Sequence, residues 1–227
     1  MPIAPTSLDH VALWVADRDA IAELLCDHLG MHVIDRTDRF TLVGADAREG
    51  KLTLFAADGP REPGALAAVV LRTPSLEDTL AALPPEVGVA RENGTAWLTA
   101  PEGLRLGLVG GAPAGTDLDH VVLRVSDVDA MAEALAELGF ARDGTRLRVA
   151  DRWVELEAGG EAEGDRPLLN HLAVLVDSAM EVADEAQRRG AEVADVVDAP
   201  NTLAVFLWGP DNVKLEFVEH KPGFSLV

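Results

Sequence analysis

The chain has 227 residues, 48% of them hydrophobic and 26% charged, enough to bury a sizeable core in one large domain or two small ones. Nineteen Lys+Arg against 39 Asp+Glu leave a net charge of −20, which repels phosphate backbones and anionic lipid heads and argues against nucleic-acid or membrane-surface partners. A single cysteine, Cys26, excludes an intramolecular disulfide framework.

In chain order, residues 8–17 read LDHVALWVAD, an alternating run rich in Val and Leu that predicts a strand. Asp17 then opens an amphipathic run, Ile21, Leu24, Leu25 and Leu29, with the spacing of a helix that buries one face and stops at Gly30. Strand-like segments follow at Phe40–Val43 and Lys51–Phe55. The loop Gly59–Gly64 (GPREPG) is no phosphate cradle, because no lysine and hydroxyl follow at the required spacing. Residues 66–73 (LAAVVLRT) start a second unit, continued by the helical run Leu76, Leu80, Leu83. Gly110–Gly115 (GGAPAG) is the clearest linker in the chain.

Residues 118–127 then read LDHVVLRVSD, a near copy of the first strand. Met131, Leu135 and Leu138 predict its helix, Gly139 the stop, and Leu147–Val149 and Trp153–Leu156 further strands. After a polar loop, Gly159–Pro167, a fourth unit begins at residues 169–177 (LNHLAVLVD), with a helical run through Met180, Val182 and Ala186 to Gly190. Units therefore start near residues 8, 66, 118 and 169, each reading strand, helix, then two or three strands. Pairing them in sequence order across the linker predicts two halves, 1–111 and 115–227. No apolar run approaches the roughly 18 residues of a membrane span. The opening MPIAPTSLDH lacks the pattern of a signal peptide, so a cytoplasmic location is expected.

Three of the six histidines share one repeat position: His10, His120 and His171, with alanine near residue 67 in the remaining unit. On the closing strands, Glu216 stands between Leu215 and Phe217, and Glu155 between Val154 and Leu156, so each points away from its apolar neighbours. The first unit offers Thr53 there, and the second Arg105 or Gly107. Carboxylates at this position thus occur only in the C-terminal half. That selects His120, His171 and Glu216 as a divalent-metal site, with Glu155 as a fourth ligand. Neutral imidazoles with a carboxylate suit iron(II), manganese, nickel, cobalt or zinc. His10 reads as structural, as do His28 and His32 beside a helix end. His220 reads as surface, Cys26 as a small core residue, and Trp14 and Trp208 as packing.

The stretches LDHVALWVAD, LDHVVLRVSD, NHLAVLVD and the closing WGPDNVKLEFVEH resemble the vicinal oxygen chelate superfamily, which includes glyoxalase I, bleomycin-resistance proteins and type I extradiol dioxygenases. The resemblance spans nearly the whole chain. It implies an α+β fold of four βαβββ modules in two tandem halves, each half a cupped mixed sheet with flanking helices; the N-terminal half is expected to be a metal-free copy and the C-terminal half to hold a metal on inward-facing strand residues. Carried over by position, His120, His171 and Glu216 match the iron ligands of two-domain extradiol dioxygenases, and Glu155 matches the fourth ligand of glyoxalase-like members. Those dioxygenases carry a histidine and a tyrosine before the Gly-Pro-Asp turn. Here the matching positions are Asn201 and Phe206, and the chain has no tyrosine. The leading expectation is an extradiol-type dioxygenase with iron(II) and a small oxygen-chelating substrate. A glyoxalase- or epimerase-type isomerase or lyase, with Glu155 or Glu216 as base, is the second. A metal-free drug-sequestering protein is the third. Four modules in one chain allow a monomer, and a homodimer is equally in the family's habit.

Overall fold

A computed structural model describes residues 3–159 and 166–227. Residues 160–165 of the loop expected between Gly159 and Pro167 lie outside the described residues. Module one comprises β1 (Ser7–Val15), α1 (Arg18–Glu23), β2 (His32–Arg36), β3 (Phe40–Gly44) and β4 (Lys51–Ala56). Module two comprises β5 (Leu66–Thr73), α2 (Leu76–Ala81), β6 (Ala90–Glu92), β7 (Thr95–Thr99) and β8 (Arg105–Gly110). Module three comprises β9 (Asp117–Val125), α3 (Val128–Glu137), β10 (Ala141–Asp143), β11 (Arg146–Val149) and β12 (Arg152–Ala158). Module four comprises β13 (Leu169–Leu175), α4 (Ala179–Arg188), β14 (Val193–Asp198), β15 (Thr202–Trp208) and β16 (Lys214–His220).

The modules repeat because their local signals repeat. Each helix starts on a side-chain cap placed two or three residues after its strand: Asp17 accepts from the Ala20 N–H, Ser75 from Asp78, Asp127 from Ala130 and Ser178 from Glu181. Each such cap stabilises its helix by about 1 kcal/mol. Three of the helical segments end at a glycine in the left-handed region, at Gly30, Gly139 and Gly190, where any other residue would be strained. At Gly139 a Cβ would also stand 2.3 Å from the Ile3 carbonyl oxygen.

The α+β class, the four modules and the two halves are as expected, but the halves are composed differently. One eight-stranded sheet runs β14-β15-β16-β13-β1-β4-β3-β2, the other β10-β11-β12-β9-β5-β8-β7-β6. The first sheet joins modules one and four, and the second joins modules two and three. The expected division into 1–111 and 115–227 is therefore corrected. Its linker is a tight connection within the second sheet, where the Gly111 and Ala112 N–H groups both donate to the Thr73 carbonyl at the end of β5. The chain changes sheets elsewhere, before β5 and before β13. The end of the second crossover lies beside the first: the Glu62 N–H donates to the Arg166 carbonyl at 3.1 Å, and the Leu168 N–H to the Glu62 carbonyl at 2.6 Å.

Period-2 alternation sends one face of each sheet, with Val11, Leu13, Leu172 and Phe217 in the first and Val69, Leu71, Val121 and Leu123 in the second, into one continuous core with the helices. Burying each such side chain contributes about 1.5–3 kcal/mol. Polar locks join the sheets. Arg152, 2% exposed, donates to the Leu118 carbonyl (2.8 Å), to Asp117 (2.7 Å) and across to the Ser7 hydroxyl (3.1 Å). The turn before β8 places the Glu102 carboxylate on the Ala16 and Asp17 N–H groups of module one. The turn before β16 places Asp211 on the Ser126 N–H and hydroxyl of module three.

This pairing predicts the behaviour of fragments. Residues 115–227 alone lack β1 and β4, leaving β13 as an open edge, and should give no cooperative urea transition. Coexpressed with residues 1–111 they should co-purify as one species with a single transition. A cooperatively folded 115–227 fragment would contradict the strand order.

Candidate metal centre

The site is built where β1 and β13 run antiparallel at the centre of the first sheet. His10 stands opposite Ala173, and Ala12 opposite His171. On the outer sides, Thr53 of β4 lies beside Ala12, and Glu216 of β16 beside Ala173. Two rows result: His10, Ala173, Glu216 and Thr53, Ala12, His171. The two alanines keep the middle of this face low, so the longer side chains lean over them and meet.

They meet closely. The His171 Nε2 lies 2.7 Å and the His10 Nε2 3.2 Å from Glu216 Oε2, and the two Nε2 atoms are 3.0 Å apart. At a metal–ligand bond of about 2.1 Å, donors at right angles around a metal stand about 3.0 Å apart. The spacing therefore suits three ligands on one face of an ion. The donor set is two imidazoles and a carboxylate, all buried or nearly so.

Each imidazole is held from behind. His10 donates from Nδ1 to Asp9 Oδ2 at 2.7 Å, and His171 from Nδ1 to Asn170 Oδ1 at 3.1 Å. With each Nδ1 donating outward, both Nε2 atoms face Glu216, the arrangement in which outer partners orient metal-binding histidines. Asp9 is itself buried and accepts from Lys51 Nζ at 2.8 Å, while Lys51 also donates to the Ala47 carbonyl. Burial alone would raise the Asp9 carboxyl, but Lys51, His10 and His220 hold it well below the usual carboxylate range.

Three acceptor atoms this close require a positive charge. Burial opposes protonation of His10, yet the Glu216 and Asp9 carboxylates outweigh it and push its pKa up to about 9. Burial dominates at His171 and lowers it, so that imidazole is neutral at pH 7. Burial would raise Glu216, but the two histidines hold it well below the carboxylate range. Without metal, a proton on His10 supplies the charge that an ion would otherwise bring.

Around this cluster the face is aromatic. Phe206 meets His171 edge-on at 5.3 Å between ring centroids. Phe55 lies 6.2 Å from His171 on the other side and continues to Phe40 and Trp14. Lys214, on β16 two residues before Glu216 and so on the same face, places its ammonium 5.0 Å from the Phe206 ring centre and 5.4 Å from that of Trp208.

The expected residues divide between the sheets. His171 and Glu216 come together as anticipated. His120 does not join them, because β9 belongs to the second sheet. There it donates to Asp119 at 2.6 Å and stacks on Trp153 at 4.3 Å. Glu155 is in that sheet too, held by Arg146 at 2.7 Å and the Thr145 hydroxyl at 2.6 Å. His10, expected to be structural, takes the place assigned to His120. Asn201 accepts from the Ser225 N–H and hydroxyl, so it pins the C-terminal segment. Phe206 is a wall of the site with no proton to exchange. His220 is only 13% exposed and lies 3.4 Å from Asp9, so it is no surface residue. Asp9 and Lys51 were missed. The signal for Asp9 was its recurrence as Asp119 before His120.

The equivalent face of the second sheet is closed. Its rows read His120, Val70, Gly107 and Glu155, Val122, Ala68. Valines replace the alanine spacers. At the corner that corresponds to Glu216, a Cβ on Gly107 would meet the Trp97 ring at 2.9 Å, so that ring occupies the space of a ligand.

Among curated proteins, none matches the chain in sequence. Residues 7–84 match the family model described as the Glyoxalase/Bleomycin resistance protein/Dioxygenase superfamily. Among solved structures, a Bacillus subtilis protein described as a "putative dioxygenase" superposes with a TM-score of 0.78 at 17% identity, covering 97% of this chain and 87% of its own. Glyoxalase I from Zea mays gives a TM-score of 0.68 at 18% identity, over 94% of this chain and 92% of its own. The CppA protein of Streptococcus pneumoniae gives 0.64 at 16% identity, over 92% and 96%. The first module and the opening of the second thus match the superfamily by sequence, and the chain as a whole shares its fold with these solved structures.

Three outcomes are expected. After reconstitution with manganese(II) and desalting, wild type and His120→Ala should each hold about one metal per chain by elemental analysis, and His10→Ala far less. A His120→Ala protein that loses metal while His10→Ala keeps it would refute the assignment. Metal must also displace the His10 proton, so uptake at pH 7 should release about one proton, measured by calorimetry in buffers of different ionisation enthalpy. A raised histidine pKa stabilises the folded state below the unfolded value of 6.5, and that contribution is lost as pH rises through about 9. Metal-free protein should therefore lose stability to urea between pH 7 and 9.5, which a flat profile would contradict.

Proposed function

We propose that this vicinal oxygen chelate chain is a divalent-metal enzyme that takes a small substrate through adjacent oxygens, with chemistry of the ring-cleaving dioxygenase type. The carrying observation is the meeting of His10, His171 and Glu216 on one face with Thr53, not a carboxylate, at the fourth corner. Two histidines and one carboxylate on one face are the ligand set of non-haem iron(II) oxygenases, which keep positions open for substrate and oxygen. Iron(II) held by His10, His171 and Glu216 would supply Lewis acidity and redox capacity to that face.

The chain's own residues supply the rest. Asp9 and Asn170 fix the two imidazoles with Nε2 inward. Thr53, 6% exposed, leaves the fourth corner to substrate. Phe206, Phe55, Phe40 and Trp14 form walls that accept a planar ring and exclude water. No tyrosine exists to handle substrate protons, and Asn201 and Phe206 do not take that role. The substrate should therefore arrive already acidic enough to ionise on chelation, and turnover should be slower than in enzymes with a positioned acid or base, which contributes about 10²–10⁴-fold.

The isomerase reading loses one of its two candidate bases, since Glu155 sits in the other sheet against Arg146, which leaves Glu216 to serve as both ligand and base. The reading of a metal-free binder, held in the cytoplasm as monomer or homodimer, predicts ligand binding that survives chelator. The deciding experiment loads iron(II) anaerobically and follows oxygen uptake with a panel of catechols. Uptake should require iron and catechol together and fall at least 100-fold in Glu216→Ala. Failure of every catechol to elicit uptake in iron-loaded protein would overturn the dioxygenase assignment.

A further inference from the structure

The chain carries an excess of 20 negative charges, and most of its cations are paired with them. Lys214 is an exception. No ion pair or hydrogen bond of its ammonium is found among the described residues, whereas Lys51 pairs with Asp9 and Lys221 with Asp198. Its ammonium rests over Phe206 and Trp208. Phe206 is buried against His171, and Trp208 is 57% exposed. The lysine therefore stands at the mouth of the metal face, with its stem on β16 beside Glu216 and its head between an inner and an outer ring.

Two aromatic faces fix a cation's position and leave its hydrogen-bond donors free. A half-buried ammonium with free donors is a ready partner for an anion. An acidic protein also repels anionic ligands from a distance, so a lone cation here discriminates among them locally.

Resting on the metal-chelate reading above, we infer that Lys214 is a specificity residue which binds a carboxylate on the substrate while the adjacent oxygens of the same molecule face His10, His171 and Glu216. The substrate class is then a chelating diol or phenol bearing a carboxylate, not a neutral catechol.

The test uses full-length, manganese(II)-loaded protein under anaerobic conditions. It compares catechol with protocatechuate, which is catechol carrying one carboxylate, by quenching of tryptophan fluorescence. Wild type should bind protocatechuate about tenfold more tightly than catechol, the order expected of one charge-assisted hydrogen bond. Lys214→Gln should bring that ratio near one with catechol affinity unchanged, and Lys214→Arg should keep most of the preference. Equal affinities in wild type, or a preference that survives Lys214→Gln, would overturn the inference and leave the metal site standing. Protein that takes up no manganese, or loaded protein that binds neither probe, would overturn the metal-chelate reading and this inference with it.

Discussion

The pairing of β1 with β13 is the constraint on which the rest depends. It joins residues at opposite ends of the chain and aligns His10 with Ala173 and Ala12 with His171. An antiparallel pair relates its two strands by a local twofold, so identical units bring identical positions face to face. Three of the four corners made that way carry metal-type donors. The buried charges then need one another: Asp9 requires Lys51, and Glu216 requires a proton or an ion beside it. Removing one member leaves an uncompensated buried charge, which costs about 3–5 kcal/mol. The inner face is thus held together by the same electrostatics that would bind a metal.

The two sheets show how one architecture serves two ends. They share module type, strand order and the Asp-His pair at the start of a central strand. They differ at the spacer positions, alanine in the first sheet and valine in the second. A few methyl groups and the Trp97 ring take the place of the alanine spacers and of one ligand. On that surface Arg146 and Arg148 lie over Trp153, and Arg105 over Trp97, covering the rings with solvated cations. The second sheet serves as scaffold: its Arg152 and Glu102 reach across to Ser7 and to the start of α1.

Much of this was legible in the sequence. The repeats LDHVALWVAD and LDHVVLRVSD, the caps at Asp17 and Asp127 and the stops at Gly30 and Gly139 are local signals, and they located the modules. His171 and Glu216 followed from alternation on their strands. Which modules share a sheet was not legible, because strands with the same apolar face can pair with any partner of like pattern. The linker at 110–115 looked like a boundary by composition, while the crossovers that change sheets carry weaker signals. From that single misplacement came the exchange of His120 for His10. Repeat equivalence had already marked both residues, and only the sheet order decides between them.

The nested order has a temporal side. The second sheet uses modules adjacent in the chain and is complete once β12 has emerged. The first sheet must wait for β13 and β16, so β1, paired with β4 on one side, spends most of synthesis with its other edge open. Such long-range closure is slow and leaves strand edges exposed to other chains. The second sheet, finished early, gives β1 a surface to rest on: the Glu102 carboxylate caps the backbone just beyond β1 before module four exists. The completed sheet then acts as an internal template, shielding the open edge of β1 until its antiparallel partner arrives.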